Sequence, residues 1–451
     1  MNIHRTTISF ALALLTSVLG SAQTTPKFNL IYNFGADGGA PDSLTETSPG
    51  VFFGTGAALS GGYNGAVFQV DTAGSFKIVY QFPQFPQYQP LGGVQAMNGQ
   101  YFGSGFSGPA GFNYQYFSMP LDGSSVNVYL TGGFGEPNQA TFAIPSPDGF
   151  LYNTTLTASQ VATFVKVDLL GNITSVHVFD PVTEGQPWDG SNLVRVADGS
   201  FYGISTINPT SSTAWFFRID SNGNYTKMAS FPSTWLGGLP APLVMSPSGA
   251  IYGTFLGGGT NHRGSIYKYV RGGQITTLFN FPKAGVIDPN ALLLADDGNL
   301  YGGTRTDPTV LYAFNLKTNT FHPLYQMNGS QGVCQCWLLQ GSDGKIYGAA
   351  LSGGSTNWGT IFSLDVGLAP PKPKVSLFSP TSGASGQKIL LWGKNFLGTT
   401  AVSFNGVPSL TFAVTSSYSV YAAVPPGATS GPITITTPAG TFQTSSNFTV
   451  Q

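Results

Sequence analysis

Between Pro242 and Phe281, apolar and polar positions alternate in four short runs: Pro242 to Ser246, Ala250 to Phe255, Gly264 to Val270 and Gln274 to Phe281. Each run is rich in aliphatic, aromatic or Thr residues and is bounded by Gly, Asn, Asp or Ser, which predicts four strands joined by turns. The pattern returns along the chain. Its aromatic-Gly step stands at Phe53-Gly54, Phe102-Gly103, Tyr202-Gly203, Tyr252-Gly253, Tyr301-Gly302 and Tyr347-Gly348, with Tyr152-Asn153 as the variant, so the seven copies lie 46 to 50 residues apart. A period of this size, made only of short alternating segments, predicts an all-β fold, a seven-bladed β-propeller with four strands to a blade.

The turns give the two ends of such a ring different characters. Asn98-Gly99, Asp148-Gly149, Asp198-Gly199, Ser248-Gly249, Asp297-Gly298 and Asp343-Gly344 join first to second strands. Asp71 to Gly74, Asp168 to Gly171 and Asp220 to Gly223 join third to fourth strands, and these residue types favour tight turns with local backbone hydrogen bonds. The opposite end gathers the longer loops, such as Leu256 to Gly264, Leu351 to Gly359 and Pro181 to Gly190, and is where binding residues are expected. Phe28 to Phe34 reads as a fourth strand that precedes the first copy, while the seventh copy stops after its third strand. Pairing these two ends closes the ring without an open edge.

Residues 1–22 have a basic start at His4 and Arg5, an apolar run from Ile8 to Leu19 and a small-residue end, as in a secretory signal peptide. The propeller is expected over residues 23–367, a Pro-rich linker over 368–373 and a separate unit over 374–451. The segment Gly298-Asn299-Leu300-Tyr301-Gly302-Gly303-Thr304, followed by a Gly-rich loop and a strand like Gly359-Thr360-Ile361-Phe362, resembles the GloVer (Gloeo-Verruco) tandem-repeat family of secreted bacterial proteins. That resemblance implies export and a propeller-like repeat, and brings no catalytic residues with it. Residues 374–451 are similar to the IPT/TIG immunoglobulin-like domain in Ser379-Pro380-Thr381-Ser382-Gly383, Gly393-Lys394-Asn395-Phe396, Val402-Ser403-Phe404-Asn405-Gly406, Val424-Pro425-Pro426-Gly427 and Phe448-Thr449-Val450. The resemblance implies an immunoglobulin-like β-sandwich acting as a spacer or adhesion unit.

Charge changes the picture mainly by its scarcity. Charged residues make up 8% of the chain and the formal net charge is −1, with no basic run, so nucleic-acid and anionic-membrane partners are not expected. A neutral surface dense in Tyr, Phe, Asn, Ser and Thr suits an extracellular polysaccharide or a cell-surface partner, although β repeats carry these residues for structural reasons too. A monomer without cofactor or metal is expected. Cys334 and Cys336, the two cysteines, make a poor zinc pair and read as buried or loosely paired thiols.

Three sets of loop residues are candidates for function. Trp188, Trp235 and Trp358 offer faces for stacking on sugar rings, and equally serve as local plugs. His262 and Arg263, with Arg305 and Asp307 in the next copy and Lys283 and Asp288 between them, form the densest polar patch expected at the loop end. A His beside two Arg is the inventory for elimination across a uronic acid, and ordinary solvated loop charges read the same way. A hydrolase would instead need opposed carboxylates, for which Asp37, Asp42, Glu46, Glu184 and Asp189 are available. His177 reads as a substitute for an outer-strand aromatic.

Overall fold

The computed structural model describes residues 25–35, 39–58, 65–82, 88–107, 113–130, 143–156, 161–187, 193–206, 213–231, 243–282, 288–333 and 337–451. The expected signal segment, Cys334 and Cys336 lie outside them. The described residues form an all-β, propeller-like succession of mostly four-stranded antiparallel sheets, one per sequence copy. In the fifth sheet the strands are Val244–Met245, Ile251–Phe255, Ser265–Tyr269 and Thr276–Asn280, close to the runs that alternation predicts.

The aromatic-Gly step has a steric cause. Strand pairing sets each Gly opposite an aromatic residue of the third strand, as in Gly54↔Phe68, Gly203↔Phe217 and Gly302↔Tyr312. A Cβ built at Gly54, Gly103, Gly203, Gly253, Gly302 or Gly348 falls 2.2–2.5 Å from the facing ring, so a side chain there displaces the aromatic. The variant copy obeys the same rule. Asn153 pairs with Val165, which has no ring to make room for, and the buried Asn153 sends its Nδ2 to the Tyr116 hydroxyl at 3.2 Å.

The core lies between sheets rather than within one. Phe53, Val67 and Phe82 of the first copy meet Tyr101 and Phe117 of the second. The same arrangement continues to Ala291 and Leu311 of the sixth against Ile346 and Phe362 of the seventh. Leu44, Phe52 and Phe68 then return to Tyr347 and Ile361, so the seventh sheet packs on the first.

That seam is made by the N-terminal strand. Lys27–Asn33 pairs antiparallel with Thr360–Asp365 and is the outer strand of the seventh sheet. Its end reproduces what Asn280-Phe281 does in the fifth. The Asn280 Oδ1 accepts the Thr260 N–H at 3.2 Å, and Asn33 Oδ1 accepts that of Ser355 at 3.2 Å. The Phe281 N–H reaches the Gly264 carbonyl at 3.0 Å, and that of Phe34 reaches Gly359 at 3.1 Å. In these two sheets the Asn-Phe pair closing the outer strand therefore ties down a Gly-rich loop.

Residues from Lys374 onward form two sheets, one around Lys388–Lys394 and Ser419–Ala423, the other around Gly431–Thr437 and Gly440–Val450. Ile389, Leu391 and Val420 of the first share one core with Phe404, Ile433, Ile435 and Phe448 of the second. The Pro-rich segment 368–373 is packed against the sheets. Pro371 and Pro373 are buried, and a Cβ built at Gly344 falls 2.4 Å from the Leu368 carbonyl oxygen, which places the connection against a turn of the ring. Trp392 and Leu390 bury with Met97 of the second copy, Lys394 pairs with Asp296, and Asn395 Nδ2 donates to Asp296 at 3.1 Å. The unit is docked on the short-turn end because that end presents apolar and carboxylate partners for it.

Candidate functional site

At the loop end, a chain of backbone hydrogen bonds brings part of the polar patch together. The Asp288 N–H donates to the Arg263 carbonyl at 3.3 Å, and the Arg305 N–H to the Asp288 carbonyl at 2.9 Å. His262 and Asp288 adopt the left-handed conformation, with φ of 54° and 56°, which turns the chain sharply at both points. The side chains of His262, Arg263, Arg305 and Asp307 stay exposed, Asp288 is half-buried, and Lys283 lies outside the described residues. The patch is thus an open surface.

Trp358 is 42% exposed on the loop of the seventh copy. Its carbonyl accepts the Ala40 N–H at 2.7 Å, and a Cβ built at Gly39 falls 2.6 Å from Trp358 Cε3, so the absence of a side chain at Gly39 lets the indole lie across the seam. Trp188 and Trp235 lie outside the described residues.

The opposed-carboxylate arrangement does not form among the described residues. Glu46 points to the short-turn end, where its carboxylate accepts the Gly50 N–H at 2.8 Å, the Ser342 N–H at 2.8 Å and the Ser342 hydroxyl at 2.7 Å. Burial raises its pKa against these hydrogen bonds. Glu184 is held by His177 Nε2 at 2.7 Å and caps the Asp180 N–H at 3.0 Å, while the His177 ring stacks on Tyr225, as an aromatic substitute would. Both carboxylates are spent on structural hydrogen bonds. Asp42, in the strand Gly39–Ser48, keeps some exposed surface as a residue, yet its Oδ2 is enclosed without a hydrogen-bond partner. Burial lifts its pKa well above the ordinary carboxylate range. Asp37 and Asp189 lie outside the described residues.

The turn carboxylates behave as the residue types predict, with one exception. Asp148, Asp297 and Asp343 each accept a backbone N–H two residues on and the hydroxyl of the tyrosine four residues on, Tyr152, Tyr301 or Tyr347, at 2.8–2.9 Å. Asp198 accepts Ser200 but not Tyr202 among the described bonds; its Oδ2 takes Arg218 at 3.2 Å and Arg271 at 3.4 Å instead. The Ser200 hydroxyl first, then the Arg218 guanidinium, pull its pKa down to about 2. This charge cluster is not legible in sequence because Arg271 joins it from the next copy and Asp198 sits in a turn otherwise indistinguishable from its neighbours.

Docking of the C-terminal unit leaves two clefts at the short-turn end. One, of about 700 Å³, lies beside Glu46, Ser342 and Asp343 under Tyr418 and Pro438. The other, of about 840 Å³, lies beside Arg195, Asp198 and Arg271 under Lys374 and Trp392. Among the described residues no group of three or more His, Cys, Asp or Glu gathers as metal ligands, and no helix is long and apolar enough to cross a membrane.

Residues 137–333 match the model of the Gloeobacter/Verrucomicrobia repeat, so the chain carries that repeat over its central copies. No curated protein matches the chain in sequence. Among solved structures, a fungal alcohol oxidase of the AA5 family in complex with copper is similar over 93% of this chain and 99% of its own, with 14% identity and a TM-score of 0.52, a likeness of fold. The WD40 β-propeller domain of Doa1 aligns with 12% identity and a TM-score of 0.47 over 74% of this chain and 96% of its own. A putative 6-phosphogluconolactonase from Bacteroides uniformis aligns with 13% identity and a TM-score of 0.43, over 62% and 83% respectively.

Proposed function

We propose that the chain is a secreted, non-catalytic interaction protein: a seven-bladed propeller closed by its N-terminal strand, with an immunoglobulin-like IPT/TIG unit held against one end and the loop end free to bind an extracellular or cell-wall glycan. The observation that carries this reading is Trp358, a large aromatic left 42% exposed across the seam of a surface with few charges. A flat aromatic face set on a rigid loop is what stacking on an uncharged sugar ring requires, and it loses little conformational entropy on binding. The candidate general base His262 is exposed on an open surface, an environment that neither excludes water nor positions a substrate for proton abstraction.

A lyase is the second reading, favoured by the backbone bonds that hold Arg263, Asp288 and Arg305 together. One set of variants separates the two. Trp358→Ala, with Trp188→Ala and Trp235→Ala, is expected to release the protein from a neutral polysaccharide in affinity electrophoresis, weakening binding by about tenfold for the loss of a buried aromatic contact. Retardation unchanged in all three removes the tryptophans from the site. New unsaturated ends formed by the parent protein and lost on His262→Ala would establish the lyase instead.

A further inference from the structure

The cleft between the fourth and fifth copies and the C-terminal unit holds charge that neither the fold nor the loop-end reading uses. Its lining brings Arg195, Arg271 and Lys374 around about 840 Å³, with Asp198 the one carboxylate among them. Asp198 is already shared by Arg218 and Arg271. Arg195 has no ion pair within salt-bridge distance among the described residues, and its Nε is enclosed without a hydrogen-bond partner. Burial works against the Arg195 charge, while Asp148, whose two oxygens are engaged by Tyr152 and Phe150, and Asp198 attract it from beyond salt-bridge distance.

The two places where the C-terminal unit meets the ring differ in charge. Where the C-terminal unit meets the ring elsewhere, its Lys394 lands on the carboxylate of Asp296, as electrostatic complementarity requires. Here the same unit brings Lys374 to a wall that already holds two arginines. Arginine is the side chain best shaped to receive a carboxylate. The remaining walls are mostly apolar, with Val196, Met245, Val270, Leu377 and Phe442 beside the buried rings of Tyr202, Tyr269 and Trp392, a lining that suits the C–H face of a sugar ring. The volume is that of a small-ligand site.

We propose that this cleft binds an acidic sugar, a uronate or short uronate oligomer, whose carboxylate is received by Arg195, Arg271 and Lys374 and whose C–H face lies on the apolar wall of Val196, Met245, Leu377 and Phe442. The site is independent of the loop end and stands whether or not the loop end binds a glycan.

Titration calorimetry on the full chain tests it, with tri-galacturonate, a neutral trisaccharide, a sulfated trisaccharide and inorganic phosphate as probes. Tri-galacturonate is expected to bind more tightly than the other three, and to weaken between about 20 mM and about 300 mM NaCl as exposed charges are screened. Arg195→Gln should lower its affinity by about tenfold, the loss expected for a hydrogen bond to a charged group. Lys374→Glu, at an exposed strand start, reverses a charge without disturbing packing and should abolish binding. Three results would overturn the proposal: no binding of tri-galacturonate, equal affinity in the parent and Lys374→Glu, or loss of binding on Trp358→Ala but not on Lys374→Glu. Equal affinity for inorganic phosphate would reject the uronate assignment in favour of a general anion site.

Discussion

The two ends of the ring are built from the same repeat and meet their surroundings in opposite ways. At the loop end, long Gly-rich segments are tied down by Asn-Phe pairs such as Asn33-Phe34 and Asn280-Phe281, and they leave Trp358, His262 and Arg263 in the open. At the turn end, short and stereotyped hairpins would offer little on their own, yet the C-terminal unit covers them and encloses two clefts. Loop length is therefore an incomplete guide to where a repeat ring can hold a ligand. A short turn becomes part of a cavity once another unit is placed over it, and the charges on that turn are then partly withdrawn from water.

The difference depends first on the ring being closed, and breaking the closure has the largest expected effect. Deleting residues 25–35 removes the outer strand of the seventh sheet, the Phe34 side chain from the seam core and the anchor of the loop at Ser355. Both ends should be lost together, seen as the disappearance of a cooperative thermal transition. A transition retained at the parent temperature would mean that the seam does not hold the ring.

A smaller change should affect the turn end alone. Trp392 is buried with Met97 and Leu390 and packs at a tilt 4.9 Å from the Tyr418 ring, so Trp392→Ala is expected to cost about 3 kcal/mol of the packing of the C-terminal unit and its docking. Limited proteolysis within 368–373 should become faster while the ring's own transition persists. Cleavage at the parent rate would show that the polar contacts around Asp296 suffice to hold the unit down.

The smallest expected effect belongs to Asp42 and sharpens the comparison from the other side. Its folded-state pKa lies above the ordinary 3.8, so the folded protein keeps a proton that the unfolded chain releases. The stabilisation this gives is complete below about pH 4 and is lost as pH rises through the folded value. Asp42→Asn should accordingly raise the melting temperature at about pH 8, with the gain vanishing near pH 4. A gain that is constant across pH would mean that packing rather than ionisation distinguishes the two side chains.

Much of the architecture could be read from the chain because it depends on neighbours within one copy. The aromatic-Gly step, the four alternating runs and the turn Asp residues are local patterns, and the observed strands follow them closely. Even the departure at Tyr152-Asn153 is local, since Val165 on the paired strand removes the ring that elsewhere demands Gly. The candidate site was less legible. Glu46 and Glu184 looked available for chemistry because their partners, Ser342 and His177, are assigned by strand packing, and Ser342 lies 296 residues away.

The sequence by itself determined the repeat, its strand order, the turn chemistry and a distinct C-terminal unit, because each rests on side-chain alternation and backbone preferences over a few residues. Only the tertiary structure decided that this unit sits on the turn end, and that Arg195, Arg271 and Lys374 share one cleft. Those positions come from separate copies and a separate unit, and the contacts that join them, Trp392 on Met97 and Lys394 on Asp296, are matches of shape and charge between surfaces that no single segment encodes.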